Sequence, residues 1–111
     1  MTPERLLELH AQLCMAFTSP KRLEILNLLR GRELSVSELT RATGMRQPNL
    51  SQHLALLREK GMVKTRREGV IIYYSLANPK IMEAFDIVTE VLLEKLGDTD
   101  RPSKDTKQTT Q

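Results

Sequence analysis

The sequence predicts a mainly α-helical domain of five helices with one small β-hairpin, and three observations lead there. Apolar residues recur every three or four positions in four separate stretches, the spacing of an amphipathic helix. Over residues 62–67 and 70–76 the pattern changes to alternation, rich in β-branched and aromatic residues, as a hairpin requires. Pro opens several of the helical stretches and Gly closes several, the positions where each costs least.

Taken in order, Thr2-Pro3-Glu4 reads as a helix start, with Thr2 as N-cap and Pro3 in the first turn. This helix carries Leu6, Leu9, Leu13 and Phe17 on one stripe, with Leu7 and Cys14 on a neighbouring one. Ser19-Pro20 begins a second helix by the same logic, with Leu23, Leu26 and Leu29 inward and Gly31 at its end. Ser35-Val36 allows a one-pair strand and no more. Ser37 is expected to cap a third helix through Thr43, and Gly44 to supply the turn after it. The fourth helix is expected from about Arg46-Gln47-Pro48 to Lys60, with Leu50, Leu54 and Leu57 toward the core and Gly61 stopping it. Glu68-Gly69 is expected to form the tight turn of the hairpin. Asn78-Pro79 opens a fifth helix over about 80–96. Residues 97–111 hold no apolar side chain and are expected to be a disordered polar tail, which leaves 1–96 as the folded domain.

A chain of 111 residues has the length of one small domain, and an apolar content of 40% suffices for a core. Two Phe, two Tyr and no Trp make that core aliphatic. The net charge of +3 is mild, so its distribution says more than its size. Seven cations and one anion, Glu59, fall between Arg41 and Arg67, whereas residues 81–94 hold four anions and no cation. One basic face and one acidic helix suit a protein that meets a polyanion on one side only. Cys14 is the single cysteine, which excludes an intrachain disulfide. No apolar run approaches the roughly 18–20 residues that span a bilayer, and no basic-then-apolar leader follows Met1. A soluble, cytoplasmic protein with no membrane partner is expected. There is no phosphate-binding Gly loop and no credible catalytic triad, so an enzyme has no support and no cofactor is expected.

The fifth helix is apolar beyond one stripe. Ile81, Phe85, Val88, Leu92 and Leu96 recur at spacings of four, three, four and four, and Met82, Ile87, Val91 and Leu93 widen the surface. A terminal helix on a domain this small cannot bury so much against its own core, and the first helix has the same excess. The expected solution is a two-fold homodimer, with Leu6, Leu9 and Leu13 of the first helix and Phe85, Val88 and Leu92 of the last at the interface. The alternative is a broad core face within a monomer.

The order of short helix, Gly turn, helix with a polar leading edge and basic hairpin is that of a winged helix-turn-helix, five helices plus wing. The leading edge of the fourth helix is Gln47, Pro48, Asn49, Ser51, Gln52 and His53, flanked by Arg46. Asn and Gln can make bidentate bonds to adenine, and Ser can donate or accept at several base edges. Arg46 stands where a Ser or Thr cap would be expected, and a DNA phosphate would compensate a cation at that helix end. In the wing, Lys64 and Arg66 share one face of the strand and Arg67 lies on the other, in reach of a phosphate or the minor groove. The alternative for both segments is an ordinary solvated surface.

These residues resemble the ArsR/SmtB family of dimeric winged-helix repressors over roughly residues 5–96. The carrying stretches are Phe17-Thr18-Ser19-Pro20-Lys21-Arg22-Leu23-Glu24-Ile25-Leu26, Leu34-Ser35-Val36-Ser37-Glu38-Leu39, Gln47-Pro48-Asn49-Leu50-Ser51-Gln52-His53-Leu54 and Gly69-Val70-Ile71-Ile72-Tyr73-Tyr74. The resemblance implies a homodimer bound to a double-stranded DNA operator and released by an inducer, whose identity the residues leave open. Metal-sensing members carry cysteines around the valine of the second stretch; here Ser35 and Ser37 stand there, poor ligands for soft metals. Zinc sensors carry Asp and His pairs on the last helix, which here has no His. No metal site is therefore expected at either place.

His10 and Cys14 remain, one helical turn apart on the first helix. Three roles compete for them: Cys14 as a small buried hydrophobe, Cys14 as a thiol sensor of oxidants or electrophiles, or the pair as half of a metal site completed by a partner helix. Correspondingly, three functions are open. They are an operator-binding repressor, a thiol-based sensor on the same fold, and a winged-helix protein-interaction module without DNA binding.

Overall fold

The computed structural model describes residues 1–100, the side chains as far as Gly97. The chain divides into two compact units, Met1–Pro79 and the segment from Lys80 on.

In the first unit, α1 (Pro3–Cys14) continues as a 3₁₀ turn (Met15–Phe17) and is followed by α2 (Pro20–Leu28). The caps fall where the sequence puts them: Thr2 Oγ1 accepts the amide of Arg5 at 3.1 Å, and Ser19 Oγ that of Arg22 at 3.3 Å. The inward face of α2 differs in one member from the expected set. Ile25, Leu26 and Leu29 are buried, while Leu23 is half-buried.

A two-residue strand β1 (Leu34–Ser35) leads directly into α3 (Val36–Thr43). The cap is Ser35, not Ser37. Ser35 Oγ accepts the amide of Glu38 at 3.1 Å while Glu38 Oε1 accepts the amide of Ser35 at 2.8 Å, a reciprocal capping box. Ser37 faces outward and accepts a bond from Arg41 at 3.2 Å instead. Gly44 ends α3 at φ 71°, the left-handed conformation glycine adopts without a Cβ penalty, and its amide bonds Thr40 O at 2.9 Å.

Helix α4 spans Gln47–Glu59. Leu50, Leu54 and Leu57 are at most 1% exposed. At roughly 1.5–3 kcal/mol for each fully buried leucine, that face fixes the rotation of the helix about its own axis. The hairpin follows as β2 (Val63–Glu68) and β3 (Ile71–Leu76), and β1 adds to its far edge, giving the order β1-β3-β2 with all pairs antiparallel. Glu68 pairs with Ile71, so the two turn residues are Gly69 and Val70, not Glu68 and Gly69. Gly69 has φ 63° and Val70 does not have a positive φ, the pattern of a hairpin turn with glycine first.

The unit from Lys80 on holds α5, recorded over Lys80–Asp100 with non-helical backbone at Gly97. Ile87, Val88, Val91, Leu92 and Leu96 are all exposed. On α1 no residue is buried: Leu6 and Leu7 are exposed, Leu9 and Leu13 half-buried. The polar tail expected over 97–111 lies outside the described residues from position 101 on. Among the described residues no helix is long and apolar enough to cross a membrane.

Candidate nucleic-acid interface

Burial of Leu50, Leu54 and Leu57 leaves Gln47, Pro48, Asn49, Ser51 and Gln52 exposed along the first turns of α4. His53 is half-buried at the margin of that face. The first intrahelical bond runs from Leu50 N to Arg46 O at 3.0 Å. Pro48 has no amide to leave unpaired, and Arg46 offers no side-chain cap to the amides of Gln47 and Asn49. The start of α4 therefore presents two backbone donors, the positive end of the helix dipole and the cation of Arg46 together.

Beside this edge lies an open groove of about 510 Å³, lined by Lys21, Gly44, Met45, Arg46, Asn49, Gln52 and His53. The Gly44 turn shapes its wall: Thr43 Oγ1 donates to Leu39 O at 2.7 Å and accepts the amide of Met45 at 3.2 Å, which turns the chain back into α4. Lys21 and Arg46 bring two cations to a groove whose other polar groups are amides and an imidazole.

The wing is built differently from the simple basic hairpin. Lys64, Arg66 and Glu68 share a face, and Arg66 is committed on it. Its guanidinium binds Glu33 through Nε at 2.9 Å and Nη2 at 2.9 Å, lies 3.5 Å from the Glu68 carboxylate, and stacks 4.8 Å over the Tyr73 ring opposite. The Arg66 hydrogen bond holds the Glu33 carboxyl below the usual carboxylate range, and the same pairing raises Arg66. Arg67 points to the turn, its Nε bonded to Gly69 O at 2.9 Å, and Lys64 is exposed.

The structure thus brings Arg46, Asn49, Gln52 and His53 together and sets Gln47, Pro48 and Ser51 on the same helix edge. Lys64, Arg66 and Arg67 stand apart on the hairpin. Three participants escaped the sequence reading. Lys21 enters the groove wall, Arg22 contacts His53, and Glu33 occupies Arg66. The first two sit in the run Ser19-Pro20-Lys21-Arg22, where two cations at a helix start, against the dipole, were the available signal. Nothing in local sequence links Glu33 to Arg66.

Cys14 is exposed rather than part of the core of its own chain, its Sγ 4.0 Å from His10 Nδ1. Among the described residues no group of three or more His, Cys, Asp or Glu side chains could hold a metal ion.

A three-helix core, a Gly turn into a polar-edged helix and a three-stranded wing define the winged helix-turn-helix class. Comparison with known proteins narrows this. The model of the family described as bacterial regulatory protein, arsR family, matches residues 19–65. The HTH-type transcriptional regulator Rv0081 of Mycobacterium tuberculosis is 39% identical over 99 residues, covering 88% of this chain and 87% of that protein. The crystal structure of Rv0081 matches with a TM-score of 0.76 at 38% identity, over 89% of this chain and 98% of that one. The crystal structure of NolR from Sinorhizobium fredii gives 0.73 at 36% identity, over 82% and 93%. The solution structure of the homodimeric winged helix-turn-helix DNA-binding domain Mb0332 from Mycobacterium bovis gives 0.75 at 34% identity, over 86% and 91%. The chain belongs to the ArsR family of bacterial regulatory proteins and is a transcriptional regulator.

Proposed function

We propose that this regulator acts in the cytoplasm as a homodimer that binds a double-stranded operator, placing α4 of each protomer in the major groove with the wing beside it, and that an inducer releases it. The observation that carries this is the division of α4: three leucines fully inside and Gln47, Asn49, Ser51 and Gln52 exposed, with Lys21 and Arg46 lining one groove with Asn49 and Gln52. Side chains that can both donate and accept are suited to base edges, and flanking cations to phosphates. Exposed apolar residues on α1 and, separately, on α5 are available to a partner protomer, which fits the homodimer this reading requires.

The test is selection of DNA fragments from a random pool by the purified protein. An enriched palindrome with half-sites about one helical turn apart is expected. Recovery of no sequence above the pool would reject operator binding in favour of a protein-interaction module.

A thiol-switched version of the same regulator is favoured by one observation, the exposure of Cys14 beside His10. Oxidant or electrophile would then weaken operator binding, and Cys14→Ser would abolish the response while keeping reduced-state affinity. An unchanged response in Cys14→Ser would place the inducer elsewhere.

A further inference from the structure

Arg22 and His53 meet across thirty-one positions of sequence, Arg22 Nη1 standing 3.4 Å from His53 Nδ1. The guanidinium is fixed by other groups. Its Nε donates to Ala16 O at 3.3 Å, and Nη2 donates to Met15 O at 3.1 Å and to Thr18 Oγ1 at 3.0 Å. Both carbonyls belong to the 3₁₀ turn, and Thr18 Oγ1 is itself tied to Met15 O at 2.8 Å. Ser19 caps the Arg22 amide, so backbone and side chain are both held. The imidazole meets a guanidinium whose place is already decided.

A guanidinium carries five donors and no acceptor. An N–H directed at an imidazole nitrogen needs a lone pair there, so Nδ1 is the acceptor and the ring proton sits on Nε2. A doubly protonated ring would set donor against donor and cation against cation. Partial burial and the Arg22 charge both hold His53 below the usual histidine range, which keeps the ring neutral near pH 7.

The geometry points to Arg22 as a positioning residue of the reading face: it fixes His53 as the neutral Nε2–H tautomer, so that α4 offers one N–H donor at that position to acceptor edges such as purine N7, guanine O6 or thymine O4. This rests on the operator-binding function proposed above. His53 lines the same groove as Asn49 and Gln52. Those amides can turn over to suit a donor or an acceptor edge. A ring with its tautomer fixed cannot. Adenine N6 or cytosine N4 opposite it would leave two donors unpaired, and a desolvated unpaired donor is what makes a wrong base costly. Arg22 thereby contributes to discrimination while four of its five donors are spent on Met15, Ala16, Thr18 and His53.

The chain has two histidines, so His10→Gln leaves His53 as the only one to observe. In ¹⁵N-labelled His10→Gln protein without DNA at neutral pH, long-range ¹H–¹⁵N spectra should show a pyridine-type Nδ1 and a pyrrole-type Nε2. Adding Arg22→Gln should move both signals toward the averaged values of a tautomer mixture. On DNA, His53→Gln puts an amide nitrogen near the place of Nε2, whereas His53→Asn puts one near the place of Nδ1. The Gln variant, which can still donate at that place, should keep operator affinity within about threefold, and the Asn variant should lose about tenfold. Should Arg22→Gln fail to fold, the wild-type tautomer and the Gln–Asn pair still decide. An Nδ1–H ring, an imidazolium at neutral pH, or equal losses in Gln and Asn would each overturn the assignment. An Nε2–H ring in a protein with no sequence preference would overturn operator binding and this role with it. The DNA-free spectrum separates that failure from a failure at Arg22.

Discussion

Arg66 on β2 closes on Glu33 with both Nε and Nη2 at 2.9 Å, across thirty-three positions of sequence, while its guanidinium lies over Tyr73. Because Glu33 immediately precedes β1 and Tyr73 lies on β3, one side chain links all three parts of the sheet. A guanidinium that is bidentate to a carboxylate has little charge left for a phosphate. Lys64 and Arg67 are then the cations the wing can present to DNA. Arg67→Ala should lower the slope of log affinity against log salt by about one, and Arg66→Ala by less. Glu33→Gln and Arg66→Gln should lower the melting temperature alike, with the difference from wild type shrinking in high salt. An Arg66→Ala slope change as large as that of Arg67→Ala, with no effect of Glu33→Gln, would make Arg66 a phosphate ligand after all.

Base reading and phosphate contact separate in a binding assay. Asn49→Ala or Gln52→Ala should reduce discrimination between operator and random duplex by about 1–3 kcal/mol if the lost contact is bidentate. Lys21→Ala and Arg46→Ala, at the groove margin, should weaken both duplexes alike. The comparison requires both duplexes at one salt concentration. Equal losses on both duplexes for Asn49→Ala would remove it from the reading set.

How far the sequence revealed this molecule depends on the range of the interactions involved. Thr2, Ser19, Gly44 and the leucines at 50, 54 and 57 act within a few residues of themselves, and each was legible from spacing and cap chemistry. As residue types Ser35 and Ser37 are equally good caps for α3, and cap preference alone leaves the start two residues late. Only Glu38, standing three residues after Ser35, completes a capping box and decides between them. The expected hairpin turn lies one residue before the observed one because Val70, which is 92% exposed, looks like a strand residue. Gly69 supplies the positive φ as the first turn residue instead of the second. The Arg22–His53 and Glu33–Arg66 contacts were invisible for a different reason. Each joins residues more than thirty positions apart, and single-sequence patterns carry no information about such pairs.

Ser35 offers a stability test of the corrected cap. Ser35→Ala removes the acceptor for the Glu38 amide and should cost about 1 kcal/mol, within a range of roughly 0.5–2. Ser37→Ala, which loses only an exposed contact to Arg41, should change stability by less than about 0.5 kcal/mol. Urea denaturation of both variants checks this. The opposite ranking would return the cap to Ser37.

The apolar surfaces of α1 and α5 predict oligomeric state. Wild type should sediment as a dimer at micromolar concentration, and replacing Phe85 and Leu92 by polar residues should give monomers or aggregates. Cys14 reports on the same question, since it is exposed on a single chain. If the partner covers it, a thiol reagent should react slowly with the wild-type dimer and quickly with monomeric variants. Monomeric wild type would reject this architecture.

The half-buried imidazole of His53 makes stability depend on pH in a defined window. Burial, and secondarily the charge of Arg22, lower its folded-state value below the ordinary one of about 6.5, with Lys21 and Arg46 lining the same groove. The unfolded chain then binds the proton more readily than the folded one. Stability is therefore full above about pH 6.5 and is lost as pH falls through the interval below it, down to the folded-state value, where it levels off. Glu33 and Glu38 act in a separate and lower range: both are held below the ordinary carboxylate value, so their contributions fade only as the carboxylates protonate. Urea unfolding from about pH 8 to about pH 5 should show a decline that His53→Gln flattens, while the steeper loss at lower pH persists in both proteins. An identical decline above pH 5 in wild type and His53→Gln would mean that His53 titrates as an exposed side chain and that Arg22 exerts no hold on it.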